Sequence, residues 1–397
     1  MTNEKSASIW TRAFALLCLA QFLGYAQHFM LAPVLPLYVT DLGGSPFVVG
    51  LVLASFAVTS VIIRPLVGHW ADRWSETGVL ISGLLVQGAS VFLCLFPMIE
   101  AVTLANALRG LGWAGLNTGG YSLLALTAPE SRRGEASGFY SGVQGAASII
   151  FPAVALWLLA ASFGGFDVVF VTTALLSVLA AGVGAVMMRY SPRIIRTPQL
   201  EQARPWWREV FHFVEPEIFL PSVLLLWLNL ALPSMTNFIV LYARELAVEN
   251  FGIYFIICGV TNLLARPGLG RLSDKIGRGR SIAAGFMLQV LALSLITLVS
   301  SLPGILIAGV LYMLGNSIGS ATILALAVER ADPRRRGKAM ATFSMAYPLS
   351  YGLGSLMTGS TVEVAGYVGM FLILAMIEAG GLIFAHLNRR TLKSGAI

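Results

Sequence analysis

Twelve long apolar stretches follow one another along this chain, at 12–38, 47–69, 78–97, 101–126, 136–161, 166–188, 217–242, 250–270, 281–300, 303–328, 339–363 and 367–388, with short clusters of charge, proline and glycine between them. Each is long enough to cross a hydrocarbon layer as a helix, which takes roughly 20 residues. Such a layer holds no water to pair with a free amide, so each stretch must satisfy its own backbone, and a helix does so. A membrane β-barrel would instead alternate apolar and polar residues over about ten positions per strand. No such alternation is present. The crossings use most of the 397 residues and leave no room for a large soluble domain. The expected fold class is an all-α membrane protein with twelve transmembrane helices.

Only 11% of the residues are charged, and their placement decides what the net charge of +7 means. Lys and Arg gather in alternate connections: Lys5, Arg12, Arg73, Arg132, Arg133, five arginines from Arg189 to Arg208, Arg271 to Arg280, Arg330 to Lys338, and Arg389 to Lys393. The remaining connections hold only Arg244 among acidic residues such as Asp41, Glu100, Asp167, Glu245, Glu249 and Glu363. Basic connections stay cytoplasmic. Both termini are therefore expected on the cytoplasmic side of a cell inner membrane, and the basic excess reads as a topology signal rather than a nucleic-acid surface. Cys18, Cys94 and Cys258 all lie inside apolar stretches, which argues against a disulfide, metal or redox site. No catalytic residue, cofactor or nucleotide-binding loop is expected, which also excludes ATP-driven pumping by this chain alone.

The chain repeats itself. Arg64-Pro65-Leu66-Val67-Gly68-His69-Trp70-Ala71-Asp72-Arg73 returns as Arg266-Pro267-Gly268-Leu269-Gly270-Arg271-Leu272-Ser273-Asp274-Lys275, 202 positions later. Arg132-Arg133-Gly134 returns as Arg335-Arg336-Gly337, and Leu111-Gly112 as Leu314-Gly315, each 203 positions on. An offset of about half the length implies two pseudo-symmetric six-helix bundles, at 1–188 and 217–397, joined by a cytoplasmic linker over 189–216. Within the linker Trp206, Trp207, Val210, Phe211 and Val214 recur at helical spacing, which fits either a helix lying in the headgroup plane or an irregular segment. Paired bundles of this kind belong to transporters that rock about a site near the midplane.

These motifs resemble the major facilitator superfamily over nearly the whole chain, closest to its bacterial drug and metabolite efflux branch. The family signature after the second span is carried by Gly68, Asp72 and Arg73, and again after the eighth by Gly270, Asp274, Lys275, Gly277, Arg278 and Arg280. The first copy departs from the family pattern: Ser75 stands for the second glycine, and Glu76 and Thr77 for basic residues. The resemblance implies a gating role, in which Asp72 latches against span 11 and Asp274 against span 5. In span 4, Leu108-Arg109-Gly110 matches a second signature in part, with Gly112 and Trp113 differing; in span 5, Phe151-Pro152 stands where a Gly-Pro pair marks antiporters, which argues against a drug antiporter.

By the same resemblance spans 1, 4, 7 and 10 line a solute cavity, with spans 2, 5, 8 and 11 at its sides. Polar stripes agree with this. Span 1 carries Gln21, Tyr25 and His28, span 4 Asn106, Arg109, Trp113 and Asn117, and span 5 Tyr140 and Gln144. Span 7 carries Asn229, Thr236 and Asn237, span 10 Tyr312 and Asn316, and span 11 Tyr347 and Tyr351. Each single amide also fits a packing role between helices. For proton coupling the candidates are His28, whose ordinary pKa is roughly 6.5, and Glu378 in the middle of span 12. The expected function is a secondary transporter that exports a small amphipathic compound or metabolite, with proton antiport as the candidate coupling. Two other readings stay open: uptake or facilitated diffusion of a small organic acid held by Arg109, and a membrane receptor or scaffold that moves nothing. The expected partners are a small-molecule solute, protons and the lipid bilayer, with no nucleic acid, and the expected state is a monomer.

Overall fold

The structure is a computed structural model that describes residues 8–129, 132–190, 216–331 and 336–388. Every predicted stretch falls on helix, and no strand occurs among the described residues. The first six stretches form α1 (Arg12–Asp41), α2 (Pro46–Ile62) with α3 (Arg64–Arg73), α4 (Glu76–Val91) with a 3-10 turn (Phe92–Leu95), α5 (Ile99–Thr127), α6 (Arg133–Ala160) and α7 (Phe166–Met187). The next six form α8 (Pro216–Leu228) continued by a π-helical turn (Ser234–Phe238) and α9 (Ile239–Glu245), then α10 (Gly252–Ile276), α11 (Arg278–Ile296), α12 (Leu302–Arg330) and α13 (Arg336–Leu387). Among the described residues, seven helices are long and apolar enough to cross a membrane, or eight when α2 and α3, bent by 44°, count as one span. The break expected between spans 11 and 12 is a kink at Gly366, whose φ of +67 separates α13 into two helical limbs. The linker helix expected around Trp206 and Trp207 lies outside the described residues.

Proline removes helical hydrogen bonds at defined places in the spans. It removes the amide that would bond the carbonyl four residues earlier and its ring presses on that carbonyl. Pro33 and Pro36 sit inside α1, and Pro233 follows the break at the end of α8. The Asn229 carbonyl, four residues before Pro233, accepts instead from the Leu232 amide at 3.2 Å.

The chain divides into two compact units, Met1–Leu31 with Val58–Val210, and Ala32–Ala57 with Phe211–Ile397. Residues 32–57, which the repeat assigns to the first half, group with the second. Lipid tails are as apolar as leucine, so spans associate by close packing rather than by escape from water. Each unit achieves this in the same way. In the first, α4 crosses α5 so tightly that a Cβ on Gly112 would lie 2.5 Å from the Gly83 carbonyl oxygen. In the second, α11 crosses α12 with a Cβ on Gly315 placed 2.6 Å from the Gly285 carbonyl oxygen. Around these crossings lie Leu80, Leu84 and Leu123 in the first unit, and Ile282, Phe286 and Leu326 at the matching places in the second.

Candidate functional site

In the first unit, α5 presents Asn106, Arg109, Trp113 and Asn117 along one face. Arg109 is only 3% exposed, and its guanidinium donates to the Asn106 Oδ1 one turn earlier. A buried cation is costly unless hydrogen-bonded, and the Asn106 amide is one of its partners. One turn further on, Asn117 Nδ2 donates to the Trp113 carbonyl at 2.9 Å while its Oδ1 accepts from the Tyr25 hydroxyl of α1 at 2.7 Å. The Trp113 indole stacks on the His28 ring at 4.2 Å and meets Tyr25 at 4.6 Å. Gln21 donates to the Leu116 carbonyl at 3.2 Å, and Tyr140 lies beside Gln144 against the bare face of Gly120. Gln21, Tyr25, Asn106, Arg109 and Tyr140 are thus buried within the packing, whereas His28, Trp113, Asn117 and Gln144 keep partial exposure.

In the second unit, the predicted residues of spans 7 and 10 meet: Asn316 Nδ2 donates to Asn229 Oδ1 at 3.1 Å. Asn237 is central to a second group. Its Oδ1 accepts from the Tyr351 hydroxyl at 2.7 Å and from Thr236 at 2.8 Å, and its Nδ2 donates to the Ala32 carbonyl at 2.8 Å. That carbonyl is free because Pro36, four residues on, has no amide to offer it. Tyr312 and Glu378 are fully buried, while Tyr347 is half-exposed and Thr236, Asn316 and Tyr351 partly so.

The Ala32 contact belongs to a larger set that draws residues 32–57 into this unit. Asp41 pairs with Arg244 at 2.5 Å. Glu363 accepts from the Phe47 amide in the first turn of α2 at 3.1 Å, an acid at the positive end of a helix. A Cβ on Gly50 would lie 2.5 Å from the Ser355 carbonyl oxygen, so α2 and α13 touch backbone to backbone.

The two copies of the loop motif differ in a way that accounts for Ser75. Gly277 has φ +90, a conformation that strains any residue with a Cβ, and it delivers Arg278 to a bond with Glu329 at 2.7 Å. At the matching place Ser75 is extended, and its hydroxyl caps α4 by accepting from the Gly78 amide at 3.0 Å. The first copy therefore needs no glycine there. Gly68 lies within α3, and Arg73, Lys275 and Arg280 are exposed at helix ends. The side chains of Asp72 and of 266–274, which include Gly270 and Asp274, lie outside the described residues.

Sequence reasoning passed over Gln87 and Gln289. Each packs against the glycine of its crossing, Gln289 donating to the Leu228 carbonyl at 3.1 Å and Gln87 accepting through its carbonyl from Gln27 at 3.5 Å. The repeat offset of 202 (87 to 289) was the signal for them. The ion pair of Asp41 and Arg244, on segments far apart in the chain, was also missed.

Compared with known proteins, the chain matches the profile described as Major Facilitator Superfamily over residues 17–252 and 234–395. It is 32% identical over 313 residues to the multidrug resistance protein MdtG of Yersinia enterocolitica, covering 74% of this chain and 72% of the relative. It is 27% identical to the MdtG of Escherichia fergusonii across 98% of both chains. Among solved structures it resembles a bacterial homolog of the human lysosomal transporter Spinster, in an inward-facing and unoccupied conformation, with a TM-score of 0.79 at 16% identity over 96% of this chain and 97% of that one.

Proposed function

The chain belongs to the Major Facilitator Superfamily, and from that premise we propose that it exports a small amphipathic compound from the cytoplasm by alternating access, in exchange for protons. It is a multi-pass membrane transporter of small-molecule solutes; the location in a cell inner membrane, the cytoplasmic termini, the monomeric state and the proton are part of the proposal. The observation that carries the direction is the similarity to relatives named multidrug resistance proteins. The polar-aromatic patch of His28, Trp113 and Asn117 supplies a surface on which an amphipathic solute can stack and hydrogen-bond.

On the same reading, the contacts made by 32–57 seal the outer ends of spans 1, 2, 7 and 11. Asp41 with Arg244, Glu363 with α2, and Asn237 with Ala32 are bonds that must break for release outside. Asp72 and Asp274, with Gly68, Arg73, Gly270, Lys275, Gly277, Arg278 and Arg280, serve as the inner latches. The buried guanidinium of Arg109 favours one other substrate, a small organic acid taken up rather than expelled. Inside-out vesicles holding the purified protein separate the two. Export predicts that 8-anilino-1-naphthalenesulfonate accumulates inside them when the lumen is acid; a preference for succinate, moving in the opposite sense, would replace export with uptake. No flux of either probe in any direction would remove the transport reading.

A further inference from the structure

We propose that Glu378 binds a proton at the break of span 7 and passes its charge state to the Asn229–Asn316 contact. This rests on the proton-exchange reading above and deepens it.

Glu378 lies in the second limb of α13 and is 0% exposed. Its limb is fixed on both sides, by Trp227 of α8 donating to the Ile377 carbonyl at 2.7 Å and by Gly381 packing on Phe286 of α11. The carboxyl faces the backbone of Ala231 and the side chain of Tyr312, yet neither of its oxygens makes a well-formed hydrogen bond among the described residues. The Tyr312 hydroxyl, also fully buried, likewise lacks one. An ionised carboxyl left in this state would cost several kcal/mol, so the arrangement suits the neutral acid. Beside it α12 offers Tyr312, which in turn lies near Tyr347 of the first limb of α13. No charged side chain acts on the carboxyl from these elements among the described residues. Among the described residues, a proton is what neutralises it.

The position gives the proton a route of action. Ala231 closes the non-helical turn that begins at Asn229, where Pro233 has already weakened the helix. Once ionised, the carboxylate favours geometries in which the Ala231 amide and the Tyr312 hydroxyl both donate to it. Drawing on Ala231 moves the break, and drawing on Tyr312 moves α12. Asn229 and Asn316, one turn from Tyr312, bond across those same two elements. Loss of the proton therefore strains or resets a contact whose Asn316 is partly exposed.

The test pairs a spectroscopic readout with a transport readout. In lipid-reconstituted protein, the infrared difference spectrum between acid and alkaline buffer should contain a protonated-carboxyl band that is absent in Glu378→Gln and shifted in Glu378→Asp. In inside-out vesicles under a one-unit pH gradient, a one-for-one exchanger accumulates 8-anilino-1-naphthalenesulfonate about tenfold, since one unit is a factor of ten. The ratio of this gradient-driven accumulation to counterflow of the same probe should fall about tenfold in Glu378→Gln, a change that mere loss of folded protein does not produce. A band that persists in Glu378→Gln, or an unchanged ratio, overturns the proposal. Failure of wild-type protein to move the probe defeats the exchange reading instead, and the infrared band then decides the proton site alone.

Discussion

The two units are built on one plan and stocked with opposite chemistry. In each, a glycine-to-glycine crossing brings two spans into contact and a glutamine packs beside it, at Gly83, Gly112 and Gln87 in one and Gly285, Gly315 and Gln289 in the other. At the place where the first unit buries the cation Arg109, the second buries the neutral Tyr312, and the acid of the second, Glu378, lies beside that tyrosine. The scaffold has thus been kept while the polar cargo has changed. Packing demands the same small residues wherever two backbones touch, whereas the groups that meet solute and proton are free to diverge.

If the crossings are equivalent, Gly112→Val and Gly315→Val should be equally damaging. Each adds three carbons where a single Cβ is already within contact of a carbonyl, at a cost of about 3 kcal/mol or more. Loss of monodisperse protein and a lower Tm in detergent would show it, and a large asymmetry between the two variants would break the comparison. Next in size, Arg109→Gln removes a charge-assisted bond worth about 1.5–3 kcal/mol. Binding of succinate or another anionic probe should weaken roughly ten- to a hundredfold, while Tyr312→Phe, at the matching place, should weaken it less than about fivefold. Equal losses would mean that the cation has no special part.

The loop copies give a smaller contrast. Gly277→Ser forces a side chain into a left-handed conformation for about 1–2 kcal/mol, and Ser75→Ala loses a helix cap for about 1 kcal/mol. Exchanging the residues between the copies should therefore harm the second copy more, as read by Tm. Smallest is Asp41→Asn. The pair it breaks is substantially exposed, so it contributes no more than about 1 kcal/mol. Cysteine labelling from outside at positions on α2 should rise by less than about fivefold, and the change should shrink further in high salt.

Much of this plan was legible in the sequence. Apolar length announces spans because a membrane leaves the backbone one way to satisfy itself, and an offset of 202 to 203 between Arg64 and Arg266 or Gly112 and Gly315 reports a duplicated bundle. The pairing of Asn229 with Asn316 agrees with the helical faces read in advance. What could not be read was which polar residues would be consumed by packing. Periodicity puts Gln21, Asn106 and Tyr140 on interior faces, but whether an interior face meets solute or a neighbouring backbone depends on how closely helices approach, and that is decided by glycines on other spans. Nor does periodicity show that Pro36 frees the carbonyl that Asn237 takes, since donor and acceptor belong to different spans.

Asp41 ends the first span of one copy and Arg244 the corresponding span of the other, within one residue of the repeat offset of 202 between Arg64 and Arg266. Were both copies identical, each would carry the same charge at this span end, and two like charges would repel rather than pair. The bond therefore exists only because the copies no longer match there. A chain assembled from two first halves, or from two second halves, would be expected to lack that closure whatever its helices did.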